Sequence, residues 1–274
     1  VALLGMPMEN DWILYGPYPD KTLIRNVLTF DLARKMGNYA SDTRFCELVI
    51  DNNYRGVYIM MERIKIDGDR VNIEKLHTPN LWDDTLTGGY IVKVDKLTGD
   101  VGYTWTSNYN NEVVFQFHDP ETDEMSSLQE SYMENFINEF DAALNWQFFD
   151  DANLGYHHYI DQTSFHDFFI LQELGRTVDG YRSSSFLHKD KDAFSWNAKL
   201  VAGPMWDFNL SFGNADYCDA DQTTGWQYNF DQICGNFSTS IPFWWKKLQE
   251  DPIYANGLRC RWEELRQGPL HTDN

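Results

Sequence analysis

The chain has 274 residues, 42% hydrophobic and 23% charged, and its 42 Asp and Glu outweigh 22 Lys and Arg to leave a formal charge of −20. With 10 Trp, 15 Tyr and 18 Phe, it buries enough ring surface to exclude a disordered chain, and its length suits one large domain or two lobes. The acidic balance argues against a protein that tracks nucleic-acid phosphates with a basic face, and no run approaches the roughly 20 apolar residues that cross a bilayer.

The first residues, Val1-Ala2-Leu3-Leu4-Gly5, carry no initiator Met or signal peptide, and the chain stops in a polar tail after Arg266. It is expected to be part of a longer polypeptide. From Asp20 a helix is predicted, with Asp20 as its cap, Leu23, Ile24, Val27, Leu28 and Ala33 at helical spacing, and Gly37 after Met36 as its left-handed end. Two apolar runs, Phe45 to Ile50 and Val57 to Ile64, flank the polar segment from Asp51 to Gly56 and predict a hairpin. A polar connection from Asp67 to Thr87 leads to a strand over Gly88 to Asp95. A polar stretch from Thr98 to Asn111 follows, then a short strand, Val113 to Phe117, ended by His118-Asp119-Pro120-Glu121.

Beyond that point the pattern turns helical: Ser126 to Leu144, then Asp161 to Leu174 with Asp161 as cap and Gly175 as stop. A loop, Arg176 to Ser183, precedes a strand pair, Ser184 to Lys189 and Lys199 to Ala202. The segment from Gly203 to Asn209, a cysteine-bracketed loop and a helical Trp-rich tail complete the chain. Four cysteines without a CxxC pair make neither a disulfide scaffold nor a structural zinc site. Cys218 and Cys234 bracket a loop rich in Gly and Asp, whose closure would contribute about 3 kcal/mol. Bridged, they imply an oxidising compartment; unbridged, they are two thiols of a cytosolic protein, and the sequence admits both.

Chemistry concentrates in Val178-Asp179-Gly180-Tyr181-Arg182 and Trp206-Asp207-Phe208-Asn209. A helix, loop and hairpin that return two carboxylates to one end can hold a metal-bound phosphate, one acid orienting a nucleophile while the other binds the cation. On spacing alone the plainer roles are favoured, Asp179 capping a turn and Asp207 satisfying backbone amides.

Six ordered blocks carry a more specific signal: Leu4-Gly5-Met6-Pro7 with Asn10-Asp11-Trp12; Asp20 to Asn26; Tyr54-Arg55-Gly56-Val57-Tyr58 running to Glu62; Gly88-Gly89-Tyr90; Val178 to Arg182; and Gly203 to Asn209. In these blocks the chain resembles the spore coat protein H (CotH) kinase family, and the tail around Arg261-Trp262 also fits. The resemblance implies an α+β, atypical protein-kinase-like fold. A small strand-rich N-terminal lobe over residues 1–95, truncated at its start, is expected beside a larger helical C-terminal lobe over 96–274.

The resemblance also implies ATP and Mg²⁺, a hard cation that takes oxygen ligands. By it Asp179 is the catalytic-loop acid, Asp207 and Asn209 hold the metal, and Arg25, Glu62 and Lys93 contact the nucleotide. Arg25 offers a planar fork for phosphate oxygens. Glu62 corresponds to the inter-lobe connection near adenine, its plainer role being a surface Glu paired with Arg63 or Lys65; for Lys93 the plainer role is an exposed strand lysine. The chain departs from the family twice. Ser183-Ser184-Ser185 stands where many members carry an Asn, leaving Ser184 as a weaker metal ligand, and the Lys-rich strand that precedes Leu-Gly-Met-Pro in the family is not in this sequence.

The expected function is therefore transfer of the ATP γ-phosphoryl group to Ser or Thr hydroxyls of a protein, at the cell exterior or a spore surface. The alternative is a degenerate kinase-like adhesin or glycan-binding module, and a glycoside hydrolase is weaker because no carboxylate pair can be given the required separation. No nucleic-acid partner and no membrane span are expected. The histidines show no metal-ligand spacing, no Gly-x-Ser-x-Gly elbow surrounds the serine run, and Phe243-Trp244-Trp245 reads as core rather than as a platform for sugars.

Overall fold

A computed structural model describes residues 1–77, 81–99, 102–110, 112–192, 198–235 and 239–273. The chain is a mixed α+β protein with two antiparallel sheets. The first holds β1 (Trp12–Tyr15), β2 (Thr43–Ile50) and β3 (Asn53–Glu62) in the order β1-β3-β2. The hairpin is tighter than its polar residues suggest. Asp51 and Asn52 alone make the turn, with φ of +50° and +62°, the left-handed pair that matches strand twist. Asn53 to Gly56, expected as turn, belongs to β3 instead, and a register shift at Leu48/Val49 faces Gly56.

Helix α1 spans Arg25–Lys35 and starts later than the predicted cap. Asp20 nevertheless serves its first turn from a distance: the buried carboxylate accepts from the Arg25 amide at 2.9 Å and from the Thr22 amide at 3.0 Å. At the other end Gly37 is left-handed as expected, and Asn38 N donates to Ala33 O at 3.0 Å.

The second sheet has the order β5-β6-β4-β7-β8, with β4 (Tyr90–Val94), β5 (Thr104–Thr106), β6 (Val114–Asp119), β7 (Ser185–Lys189) and β8 (Leu200–Ala202). Strand β5 lies inside the polar stretch from Thr98 to Asn111, where no strand is predicted, and β6 continues through His118 to Asp119. Central strand β4 is buried on both faces: Tyr90, Val92 and Val94 join the main core, and Ile91 packs with Ile64, Ile66, Val71 and Phe186. Because β4 pairs with β6 on one side and β7 on the other, a division at residue 95 cuts through one sheet.

Helix α3 (Gln162–Gly175) begins where its cap predicts, Asp161 accepting from Ser164 N at 2.7 Å, and α2 (Ser127–Asn145) begins just after Ser126, which proves to be its cap through a capping box to Gln129. The short α4 (Phe230–Ile233) and α5 (Trp244–Leu248) and the longer α6 (Pro252–Leu265) complete the element order. Trp244 and Trp245 are core, stacked against Phe115 at 5.6 Å and Phe168 at 5.1 Å. Arg261 of α6 binds Asp167 of α3 through two nitrogens, at 2.7 and 3.0 Å, and Met36 O at the end of α1 at 2.8 Å. Cys218 and Cys234 are joined by a disulfide, while Cys46 and Cys260 are free.

Candidate functional site

The loop after α3 is pinned from within. Arg176 takes the left-handed conformation that ends the helix, and its Nε donates to Asp219 O at 2.9 Å. Gly180 admits no side chain, since a Cβ would stand 2.8 Å from Gln172 Oε1 and 2.9 Å from Thr177 O. Val178, Tyr181 and Arg182 are fully buried. Tyr181 Oη donates to Glu173 at 2.7 Å, and Arg182 donates to Val178 O at 2.6 Å with its guanidinium over the Phe230 ring. Between these anchors Asp179 keeps its side chain partly open, with Lys96 Nζ 3.8 Å from Oδ1.

Asp207 arrives from the segment after β8. Its backbone is left-handed, with φ of +60°, as are Ser184 at +50° and Tyr181 at +67°. Three non-glycine residues in that region within one site mark strain that the surroundings must hold. They are held closely: Phe208 N donates to Asn26 Oδ1 of α1 at 2.6 Å, and Phe212 N donates to Gly175 O at 2.6 Å. Burial raises the Asp207 carboxyl above the usual range, the negative charges of Asp179 and Asp95 raise it further, and Lys96 and the Ser184 side chain pull it back in part. Asp179 and Asp207 therefore share one electrostatic environment, with Ser184 near enough to Asp207 to lower its carboxyl.

Asp95, which sequence reasoning passed over as the end of a strand, is the third acid here. Its Oδ1 accepts from Ser183 Oγ at 2.9 Å and Ser184 N at 3.2 Å, and its Oδ2 faces Lys93 Nζ at 3.1 Å. Burial works to raise its carboxyl, but Lys93, the Lys96 amide and Ser183 outweigh burial and hold it below the usual range. The available signal was Lys93 and Asp95 at i and i+2, hence on one face of a strand otherwise wholly apolar. Lys93 is thus neither an isolated surface lysine nor remote from the acids. Lys96 was missed as well.

The other expected residues lie differently. Asn209 sits beside the buried Tyr15 hydroxyl of β1, which also senses Asp207 and Asp20. Arg25 is occupied by protein groups: it pairs with Asp20, and donates to Thr22 Oγ1 at 3.0 Å, Ser211 O at 2.9 Å and Phe212 O at 3.4 Å. It touches the loop that follows Asp207 rather than the acids. Glu62 is no surface residue; it is 3% exposed, pairs with buried Arg70 at 2.5 Å, and accepts from Asp42 N at 2.9 Å and Tyr39 Oη at 3.3 Å. None of those partners belongs to the acidic cluster.

Among the described residues no group of three or more His, Cys, Asp or Glu side chains is placed to hold a metal ion. The donors near Asp207 are oxygens, the Asp179 and Asp95 carboxylates and the Ser184 side chain. Such a set fits Mg²⁺, which is commonly bound by one or two carboxylates plus substrate phosphates and water.

The family model described as CotH kinase protein matches residues 1–274, the whole chain. No curated protein matches it.

Proposed function

The chain belongs to the CotH kinase family, and from that membership we propose that it transfers the ATP γ-phosphoryl group to Ser or Thr hydroxyls of a protein, with Mg²⁺. The observation that supports this reading is the convergence of Asp179 and Asp207 on one strained, partly buried site, close enough for the charge of one to raise the carboxyl of the other. Asp207 and Asn209 would hold the cation, with Ser184 as an additional oxygen. When bound, Mg²⁺ offsets the charge that develops on the transferring phosphoryl oxygens.

Asp179 orients the acceptor hydroxyl and takes its proton as the new oxygen–phosphorus bond forms and the bond to the departing ADP oxygen breaks. Lys96, 3.8 Å from Asp179, supplies the opposing charge at the mouth of the cluster. Lys93 faces the same cluster through Asp95 and also lines a groove of about 440 Å³. We place the nucleotide between the three-stranded sheet and the segments carrying the acids, the arrangement of a two-lobed kinase. The disulfide and the family's association with spore coats support action at an exterior surface.

A second reading, a binding module that has lost turnover, draws on Arg25 and Glu62, both taken up by protein partners. The deciding experiment incubates the purified chain with labelled ATP, Mg²⁺ and a Ser-rich acceptor protein. Label should transfer, and Asp179→Asn and Asp207→Asn should each lower the rate roughly 10²–10⁴-fold without unfolding the chain. Transfer indifferent to both substitutions refutes the assignment, and glycan binding without any nucleotide-induced thermal shift selects the second reading.

A further inference from the structure

We propose that Asp95 is a positioning residue of this site, acting through the Ser183–Ser184 turn on Asp207. The proposal rests on the phosphotransfer reading above. Asp95 follows directly on β4, the central strand of the larger sheet, so its Cα sits on a rigid element. Its own backbone is clamped from the neighbouring strand: the buried Gln116 side chain donates to Asp95 O at 2.7 Å and Lys96 O at 3.2 Å.

From that fixed point one carboxylate oxygen receives two donors from the turn, Ser183 Oγ and Ser184 N. Ser184 is left-handed, a conformation a serine keeps only where its surroundings over-determine it. The Asp95 oxygen supplies that determination, and it keeps the Ser184 side chain near enough to Asp207 to lower that carboxyl. The second oxygen is matched by Lys93. A fixed partner behind a ligating group is the usual means of setting a metal ligand's orientation. Asp95 meets that description at one remove, bonding to the serines while Asp207 would hold the cation.

A purely structural acid would alter stability alone, so the test reads metal affinity and local exchange. Binding of Mn²⁺·ATP is measured for the intact chain, Asp95→Ala and Asp95→Asn, together with hydrogen exchange of the Ser184 amide. Asparagine keeps an acceptor for the turn; alanine removes it. Asp95→Ala should weaken Mn²⁺·ATP binding about tenfold or more and expose the Ser184 amide, while Asp95→Asn recovers most of both. Unchanged affinity in folded Asp95→Ala overturns the proposal, as does equal loss in the two variants. If the unsubstituted chain binds no Mn²⁺·ATP, the phosphotransfer reading fails separately. The exchange measurement then decides Asp95's role: protection lost in alanine and kept in asparagine supports its hold on the turn, and protection unchanged in alanine overturns it.

Discussion

Asn26 of α1 accepts the backbone N–H of Phe208 at 2.6 Å, joining the first helix to the residue that follows Asp207, 182 positions along the chain. Asn26 is buried and Phe208 completely so, which leaves that amide without ready access to water if the acceptor is removed. Asn26→Ala should cost about 1–3 kcal/mol, read by urea unfolding. Phosphotransfer should fall by more than the loss of folded protein explains, because Asp207 loses its neighbour's anchor. Asn26→Asp, which keeps an oxygen there, should recover much of the stability.

Asp207→Asn should stabilise the protein while removing its activity. Burial and the neighbouring acids hold the Asp207 carboxyl above its usual range, so the folded state binds the proton more tightly than the unfolded one. Its contribution to stability is present below the ordinary carboxylate pKa and is lost as pH rises through the folded value. At pH 7 the charged form is therefore a net cost, and asparagine, which tolerates left-handed backbone, removes it. A gain of roughly 0.5–2 kcal/mol is expected, narrowing as pH falls toward 4. Calorimetry with Mg²⁺·ATP should raise the Tm of the original chain and leave the variant's nearly fixed.

His118 should make the protein acid-sensitive in a defined window. Burial, with Lys93 and Arg63 in support, pushes its imidazole down to about 4 against the hydrogen bond to Ile64 O. The unfolded chain then binds more protons between about pH 6.5 and 4, so the stability associated with neutral His118 is complete above that window and is lost as pH falls through it. His118→Phe should cost stability at pH 7, where the bond to Ile64 O at 2.9 Å is given up. By pH 4 that deficit should shrink by on the order of 2 kcal/mol, measured by denaturation across the window.

Replacing Cys218 and Cys234 by serine should lower stability by about 3 kcal/mol, for a bridge with a sequence separation of 16 and Cα atoms 5.3 Å apart. A reductant should lower the Tm of the unaltered chain and have no such effect on the double variant. Tyr217 and Asp219 flank Cys218, and Arg176 is tied to Asp219 O. Loosening this loop should therefore also reduce protection of amides near Arg176 in hydrogen exchange.

Local signals were legible where the cause was local. Ser126, Asp161 and Gly37 mark helix ends because their caps act within a turn, and β7 and β8 follow their apolar patterns. Asp20 misled because its carboxylate reaches Arg25 across a left-handed Leu23, an excursion that spacing does not encode. The pairing of β4 with β7 joins strands far apart in sequence, so nothing in either predicts the other as its neighbour. Glu62 gave no hint of Arg70 because buried ion pairs form through folding geometry, here around a loop. At the site, Asp179 and Asp207 were expected from family motifs; Asp95 and Lys96 were passed over because their nearness to those acids appears only once the serine turn lies against the strand end.

The bidentate grip of Arg261 on Asp167, with Met36 O held by the same guanidinium, has a consequence for the order of assembly. A ribosome that has delivered every strand of both sheets has still not released the cation that bridges the end of the first helix and Asp167 of α3. Until then the end of α1 is tied to Asp167 through the Asn38 side-chain amide, at 2.8 Å, and a nascent chain cut short before residue 261 would contain all the acids of the site without this second clasp.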